Sequence, residues 1–392
     1  MKRWPTKPLG EVCSINPKLA GSDAPRLNAQ VTFVPMAAVD EVSGTIARPE
    51  RRRYSEVAKG YTPFTTNDVL FAKITPCMQN GKAAVATDLC GGFGFGSTEF
   101  HVLRSAGSVL PRWVFAFIRQ SAFRSAAEAS FTGSAGQQRV PADFLKTFPM
   151  PVPPLAEQER IVTLLDEADE LRKLRTQADH RTSDLIPALF HKMFDDPVTN
   201  SKGWAQSLFV EVGKLDRGRS RNRPRDEPSL YGGKYPFLQT GDVANSDGEI
   251  TTYTQTYSEK GLAQSRIWPA GTLVITIAAN IGKTAILTFP ACFPDSMVGF
   301  IPGEKVLVDY TRQWLVSMED RLDEAAPQMA QKNINLKILS ELTIPVPPLP
   351  LQKEFAARVS EIRAVQAEQA ASRRRLDELF QSMLHRAFNG EL

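Results

Sequence analysis

An internal repeat constrains the fold of this 392-residue chain more than any other feature. The sequence Pro-Val-Pro-Pro-Leu occurs at 151–155 and again at 345–349, an offset of 194 residues. The same offset aligns Leu145 with Leu339 and His191 with His385. Near the two starts the offset is 200, and between these points it drifts to about 204. We therefore interpret the chain as two copies of a long segment followed by a short one.

Four segments follow from this alignment. We predict a first large domain at 1–150, a first spacer helix at 151–198, a second large domain at 199–345 and a second spacer helix at 346–392. The short segments keep the same length, whereas the long ones differ by insertions and deletions. Rigid elements and variable loops differ in this way.

The short segments have the pattern of long helices. Residues 155–186 contain neither Gly nor Pro, and their apolar residues recur every three or four positions. Each row of apolar residues is narrow, so each predicted helix needs a partner helix to cover it. The simplest partner for one long helix is the other. We expect Pro187 to kink or end the first helix near His191. The predicted stripes are Ile161, Leu164, Ala168, Leu171, Leu174, Ala178 and Leu185 in one helix, and Phe355, Val359, Ile362, Leu376, Leu379 or Phe380, Met383 and Ala387 in the other.

The long segments have a mixed pattern. Asn67–Ile74 and Ala270–Ile277 each predict a turn that enters a strand, and Pro111–Glu128 predicts a helix with a proline start. The fold class predicted for the chain is α+β, with two tandem mixed α/β domains and two long helices in a pseudo-twofold repeat.

Several protein classes are excluded by composition and motif. The four cysteines form no Cys-x-x-Cys pair, so we expect no metal site and no disulfide framework, and a reducing cytoplasm fits. No run approaches 18 uncharged apolar residues, and the N-terminus lacks the apolar core of a signal peptide. We therefore expect a cytoplasmic protein without a membrane partner.

Catalytic motifs are also missing from the sequence. Gly282-Lys283-Thr284 resembles the end of a phosphate-binding loop, but the glycine required five positions earlier is Ile277. The four histidines form no metal-binding motif, and no Asn-Pro-Pro-aromatic motif of an amino-methyltransferase occurs. We predict no catalytic residue and no cofactor in this chain.

Binding chemistry is present instead. Residues 1–150 carry 18 Lys and Arg against 11 Asp and Glu, whereas residues 199–345 carry 16 of each. Five arginines alternate with other residues in the second large domain, and such a run is either a solvated loop or a surface for a polyanion's phosphates. These are Arg217, Arg219, Arg221, Arg223 and Arg225.

Further polar residues join the arginine run as candidate DNA contacts, because Gln and Asn pair with adenine and Arg with guanine. In the first domain they are Arg51, Arg52, Arg53, Lys73, Lys82, Gln137, Gln138 and Arg139. In the second they are Tyr231, Lys234, Gln239, Thr240, Lys283, Gln331, Lys332 and Asn333. Each one is alternatively an ordinary polar surface residue.

The whole chain resembles the DNA-specificity subunits of Type I restriction-modification systems. The resemblance rests on the two Pro-Val-Pro-Pro-Leu segments followed by Gln158 and Gln352, on residues 194–204, on the segment 231–243 and on the ending 385–392. The resemblance implies that the two large domains are target recognition domains, each reading one half of a split site in double-stranded DNA. It also implies that the short segments are antiparallel coiled-coil helices that act as spacer and dock.

The partners implied by the resemblance are two modification (methyltransferase) subunits and restriction/translocase subunits. S-adenosylmethionine, ATP and magnesium would belong to those partners. Because the two large domains differ in charge and loops, they should read different sequences. Two other functions stay open at this point: an enzyme that modifies nucleic acid alone, and a helical scaffold without a DNA role.

Overall fold

The computed structural model describes residues 4–19, 24–134, 136–196, 199–221, 224, 226–278, 281–319 and 335–392. The chain divides into two compact units. Unit 1 contains Met1–Gln177 and Ala370–Leu392, and unit 2 contains Ala178–Gln369. The division falls within both long helices, so each unit combines one long sequence segment with parts of both short ones. The four segment limits drawn from the sequence stay predictions.

The strands of unit 1 are β1 (Thr6–Pro8), β2 (Cys13–Ile15), β3 (Gln30–Val34), β4 (Glu50–Arg53), β5 (Thr62–Thr65), β6 (Val69–Ala72), β7 (Ala83–Val85), β8 (Phe93–Gly96), β9 (Phe100–Ser105) and β10 (Pro149–Pro151). The strands of unit 2 are β11 (Gln206–Leu208), β12 (Gly213–Arg217), β13 (Tyr231–Phe237), β14 (Glu249–Ile250), β15 (Gln255–Tyr257), β16 (Leu273–Thr276), β17 (Thr284–Leu287), β18 (Met297–Pro302) and β19 (Thr343–Pro345).

The helices, in chain order, are α1 (Leu9–Val12), α2 (Tyr54–Val57), α3 (Pro111–Ile118), α4 (Ser121–Ala129), α5 (Ala142–Thr147), α6 (Leu155–Ser183), α7 (Leu185–Phe194), α8 (Thr240–Ala244), α9 (Glu259–Ala263), α10 (Val308–Ser317), α11 (Leu336–Glu341) and α12 (Leu349–Phe388). Within the described ranges, none of these helices is both long and apolar enough to cross a membrane.

Unit 1 contains two four-stranded sheets, of order β2-β9-β6-β7 and β4-β3-β8-β5. Strand β6 lies between two cores. Val69 and Phe71 pack in the cluster that contains Trp113, whereas Leu70 and Ala72 pack in the cluster that contains Phe64. Because side chains alternate between the faces of a strand, a strand covered on both faces is apolar throughout. The strand predicted within Asn67–Ile74 is confirmed.

Unit 2 repeats the first of these sheets. Its strands have the order β12-β18-β16-β17, which is the order of the repeat-equivalent strands in unit 1, and β14 is added in parallel at the edge. The second sheet is different, because unit 2 has the two-stranded β13-β15 pair where unit 1 has four strands. The two units therefore share a framework and differ in what is attached to it. The predicted α+β fold class is confirmed.

The repeat extends to single hydrogen bonds. Gln158 and Gln352 are fully buried near the starts of α6 and α12. The Gln158 amide donates to the carbonyl oxygen of Pro153 at 2.8 Å and accepts from the Leu110 backbone N–H at 2.8 Å. Gln352 makes the equivalent contacts, to Pro347 and from Leu307, at the same two distances. In both units this glutamine connects the start of the long helix, by hydrogen bonds, to the domain that precedes the helix in the chain.

The two long helices are antiparallel in each unit, as the resemblance implied. In unit 1, Arg160 donates to the Leu392 carbonyl at 2.8 Å, and Arg172 donates to Asp377 at 2.7 Å. In unit 2, Thr182 donates to Gln369 at 2.6 Å. Both helices are long, since α6 has 29 residues and α12 has 40.

The predicted apolar stripe on the first helix is wrong in its second half. Ile161 and Ala168 are buried, but Leu171, Leu174 and Leu185 are 54%, 51% and 45% exposed. The start of α6 packs into the core of unit 1, and this core sets the buried face. Farther along, ion pairs such as that of Arg172 take the place of apolar contacts. On the second helix, the buried residue of the predicted alternatives is Phe380, and Leu379 is exposed.

Two predicted helix ends also differ from the structure. The first long helix breaks at Asp184, before Pro187, and α7 then runs past His191. Proline lacks the N–H that would bond to the Ser183 carbonyl, so the break falls one turn ahead of it. The helix predicted over Pro111–Glu128 is two helices, because Gln120 has extended backbone and its side chain donates to the Phe117 carbonyl at 3.2 Å.

Candidate nucleic-acid interface

Unit 1 contains an open cleft of about 420 Å³ beside its second sheet. Its polar lining includes two amines and two phenols, those of Lys18, Lys73, Tyr54 and Tyr61. Of the residues that the structure describes, no carboxylate lines the cleft. The remaining lining residues are Asn16, Pro17, Leu19, Ala58, Thr62, Pro63, Phe95, Thr98 and Phe100. A cleft of this size falls within the range of ligand-binding sites.

The aromatic side chains of the cleft are held by other rings. The Tyr54 ring lies 5.4 Å from Phe95, and Tyr61 lies edge-on to Phe33 at 4.8 Å. The Arg52 side chain stacks over the Phe33 ring, and its guanidinium carbon lies 3.7 Å from the ring centre. Hydrogen bonds from Arg52 to Glu50 and Tyr61 raise the pKa of its guanidinium. The predicted residue Arg52 is thus joined to the cleft through Tyr61.

Lys73 and the segment that contains Gln137, Gln138 and Arg139 are brought together by backbone hydrogen bonds. The Val140 N–H donates to the Lys73 carbonyl at 2.9 Å, and the Thr75 N–H donates to the Gln138 carbonyl at 3.0 Å. Gln137 is exposed and Gln138 is half-buried. Four of the residues predicted in the first domain therefore lie next to one another.

Arg139 is engaged by a carboxylate. Its Nε and Nη2 both donate to Glu99 at 2.9 Å, and this contact lowers the pKa of Glu99. Lys73 adds a smaller electrostatic effect in the same direction. Behind this group, the His101 Nε2–H donates to the Val140 carbonyl at 2.8 Å, and burial lowers the pKa of His101. His101 is therefore held as the neutral imidazole.

Three other predicted residues of unit 1 lie elsewhere. Arg51 and Arg53 are exposed on β4, on the opposite face of the strand from Arg52. The Lys82 amine donates to the Val39 carbonyl at 3.0 Å and pairs with Glu41 at 3.1 Å.

The arginine run of unit 2 begins as extended chain. Gly218 and Ser220 are buried, while Arg219 and Arg221 between and after them are exposed. A Cβ at Gly218 would lie 2.3 Å from the Pro294 carbonyl oxygen, so only glycine permits this close approach. The alternation of arginine with small residues therefore has a packing reason.

Hydrogen bonds hold this segment to its neighbours. The Gly218 N–H donates to the Met297 carbonyl and the Arg219 N–H to the Phe293 carbonyl, both at 3.0 Å. The Ser265 hydroxyl donates to the Arg219 carbonyl at 2.8 Å. Residues 217–221 are therefore anchored, which argues against the alternative of a free solvated loop for this part. Arg223 and Arg225 lie outside the described residues.

The residues predicted on the approach to a strand lie on β13 and just after it. Tyr231 packs against Tyr257, and the Ser220 and Tyr257 hydroxyls are 3.4 Å apart, which connects this pair to the arginine segment. Lys234 is exposed and pairs with Glu259 at 3.3 Å. Gln239 bonds to Gln255 at 2.7 Å, and Thr240 follows it as the first residue of α8. Lys283 pairs with Glu319. Gln331, Lys332 and Asn333 lie outside the described residues.

Sequence reasoning missed Lys18, Tyr54 and Tyr61. No periodicity marks them, because each is a single polar residue at the end of a strand or short helix. Among the residues that the structure describes, no three His, Cys, Asp or Glu side chains lie close enough to hold a metal ion.

Comparison with known proteins gives the family. The family model described as Type I restriction modification DNA specificity domain matches residues 1–179 and again 201–373. The EcoEI specificity subunit of Escherichia coli is 40% identical over 226 residues, which are 54% of this chain and 38% of that subunit. The EcoAI specificity subunit of the same organism is 33% identical over the same shares. The chain thus matches less than half the length of these curated relatives.

Solved structures show the same fold. A chain from a study of complex assembly and conformational transition of the type I R-M system aligns with a TM-score of 0.63 at 22% identity, covering 99% of this chain and 98% of that one. The S subunit of the Type I restriction-modification system from M. genitalium aligns with a TM-score of 0.56 at 14% identity, covering 98% and 96%. By its two matches to the family model, this chain belongs to the Type I restriction modification DNA specificity domain family.

Proposed function

We propose that this chain is a DNA-specificity subunit that reads a bipartite site, with one half read by each unit. One observation carries the proposal: the two units repeat one sheet framework but attach different basic surfaces to it. A shared framework with different surfaces suits two readings of one kind of ligand, because loops on a common rigid scaffold can differ in what they recognise.

The partners we propose are two modification subunits and the restriction subunits of a Type I complex. The helix segment occurs twice in the chain, which suits the binding of two modification subunits. S-adenosylmethionine, ATP and magnesium would bind to those partners, and this chain would supply neither catalytic group nor cofactor. Because the proposed substrate is cellular DNA, we propose the cytoplasm as its compartment.

Methylome sequencing tests the proposal. A host that carries the complete system should show a methylated motif made of two specified half-sequences with an unspecified gap, and deletion of this chain should abolish that methylation. A continuous motif, or methylation that persists without the chain, would contradict the proposal. Methyl transfer by the highly purified chain alone would contradict its non-catalytic part.

A further inference from the structure

We propose that the cleft of unit 1 grips the phosphate backbone of one DNA strand and does not read bases. The inference rests on the proposed function and assigns one part of the interface to one class of contact. Contacts to phosphate fix the register of a protein on DNA, whereas contacts to base edges select the sequence.

The donor inventory of the cleft supports the phosphate assignment. Within the described part of the chain, the amines of Lys18 and Lys73 make no ion pair and no hydrogen bond. Tyr54 and Thr98 add hydroxyl groups, and the described lining of the cleft contains no carboxylate. Lysine ammonium and hydroxyl groups are typical donors to phosphate oxygens. A base edge would instead require matched donors and acceptors.

Two groups that offer bidentate base contacts are occupied. The Asn16 amide is used inside the protein, since its oxygen accepts from the Val102 N–H at 2.9 Å and its nitrogen lies 3.0 Å from His101 Nδ1. Arg139 is paired with Glu99 through two of its nitrogens. The amide that lines the cleft and the guanidinium of Arg139 are therefore committed, whereas the two amines make no ion pair or hydrogen bond with any residue that the structure describes.

The net positive charge at the cleft also favours a phosphate backbone as the ligand. Among the described residues at the cleft, the cations Lys18, Lys73 and Arg139 outnumber the carboxylate Glu99, which is paired with Arg139. The positive charges of exposed Lys18 and half-buried Lys73 remain in the cleft. A phosphodiester strand supplies anions at a regular spacing and releases counterions when it binds to such a surface.

The test is a salt titration of duplex binding by the full chain with its modification subunits. A mixed-sequence duplex suffices, because sequence-independent binding comes from phosphate contacts. The double variant Lys18→Ala/Lys73→Ala should bind more weakly, and the slope of log K against log salt should fall by roughly 0.9 per lost contact. Target and mixed-sequence duplexes should lose the same factor, so their ratio should not change.

Matched variants separate charge from folding. Lys18→Arg/Lys73→Arg keeps both charges and should keep the slope. Lys7→Ala/Lys146→Ala removes two lysines of unit 1 outside the cleft and should also leave it unchanged. Tyr54→Phe should weaken binding slightly at constant slope, because it removes a hydroxyl and no charge.

The outcomes are distinguishable. If the wild-type complex fails to bind duplex DNA, the proposed function itself is wrong. If it binds but the Lys18→Ala/Lys73→Ala variant keeps the wild-type slope, the cleft assignment is overturned. A changed target-to-mixed ratio at constant slope would assign base reading to the cleft instead. Lysine-dependent binding of inorganic phosphate or a free nucleoside monophosphate, with duplex binding unaltered, would assign the cleft to a small anion and overturn the proposal.

Discussion

Gln158 and Gln352 are buried polar side chains whose hydrogen bonds are all satisfied by backbone groups. Each amide also donates to a second carbonyl at 3.1 Å, that of Ser108 or of Lys305. A side-chain amide supplies two donor hydrogens and an acceptor oxygen, and among uncharged side chains only Gln and Asn do so. The residue at this place must therefore be an amide of this length in both units.

Replacement of Gln158 by alanine should destabilise unit 1. The buried Pro153 carbonyl and the part-buried Leu110 N–H would lose their partner, and each unsatisfied buried group costs about 1–3 kcal/mol. Gln352→Ala should have a similar effect in unit 2. Urea unfolding measures both free energies, with exposed Gln177→Ala as the control. A loss no larger than that of the control would show that these hydrogen bonds are not needed.

At the scale of elements, the contacts between domain and helix have opposite polarity in the two units. In unit 1, α6 contributes the buried carboxylate of Asp169, which accepts from Arg172 at 2.9 Å and faces Arg119 of the domain at 3.9 Å. The repeat-equivalent residue of α12 is Arg363, which donates to Glu249 and Asp309 at 2.7 Å. The helix is therefore acidic at this position in unit 1 and basic in unit 2.

Arg363→Asp should destabilise unit 2 by about 3 kcal/mol or more, because it places a carboxylate beside two others. The second change Asp309→Arg should recover much of this loss, since it restores opposite charges at two positions that are paired in the wild type. A double-mutant cycle in urea measures the coupling. Equal stability of the single and double variants would contradict the pairing.

The elements also show what the sequence can and cannot predict. The spacing of apolar residues and, over 155–186, the absence of Gly and Pro predicted the long helices, because these signals are local. Leu171 and Leu174 fit the helical period and yet are exposed, since the buried face depends on which domain core lies against the helix. Lys73 was predicted and belongs to the cleft, but Lys18 and Tyr61 reach it through tertiary structure that no spacing reveals.

At the scale of the whole molecule, the repeated framework and the different second sheets predict that each unit has its own DNA surface. Arg219→Ala/Arg221→Ala in unit 2 should weaken DNA binding and reduce the salt slope by roughly 0.9 per lost phosphate contact. A salt titration of duplex binding measures this, with Lys7→Ala/Lys146→Ala as a charge-matched control in unit 1. A wild-type slope in the variant would show that the exposed arginines do not contact DNA.

The central claim is that the domains read sequence and the helices set the gap between half-sites. The boundary between the units falls within both long helices, so four residues inserted after Asp179 and four after Ala371 should leave both cores intact. Each insertion lengthens a helix by about 6 Å, at 1.5 Å per residue.

Methylome sequencing of a host with this insertion variant measures the result directly. The account predicts the two wild-type half-sequences with a gap longer by roughly one or two base pairs, at about 3.4 Å each. An active variant that methylates altered half-sequences at the original gap would contradict it.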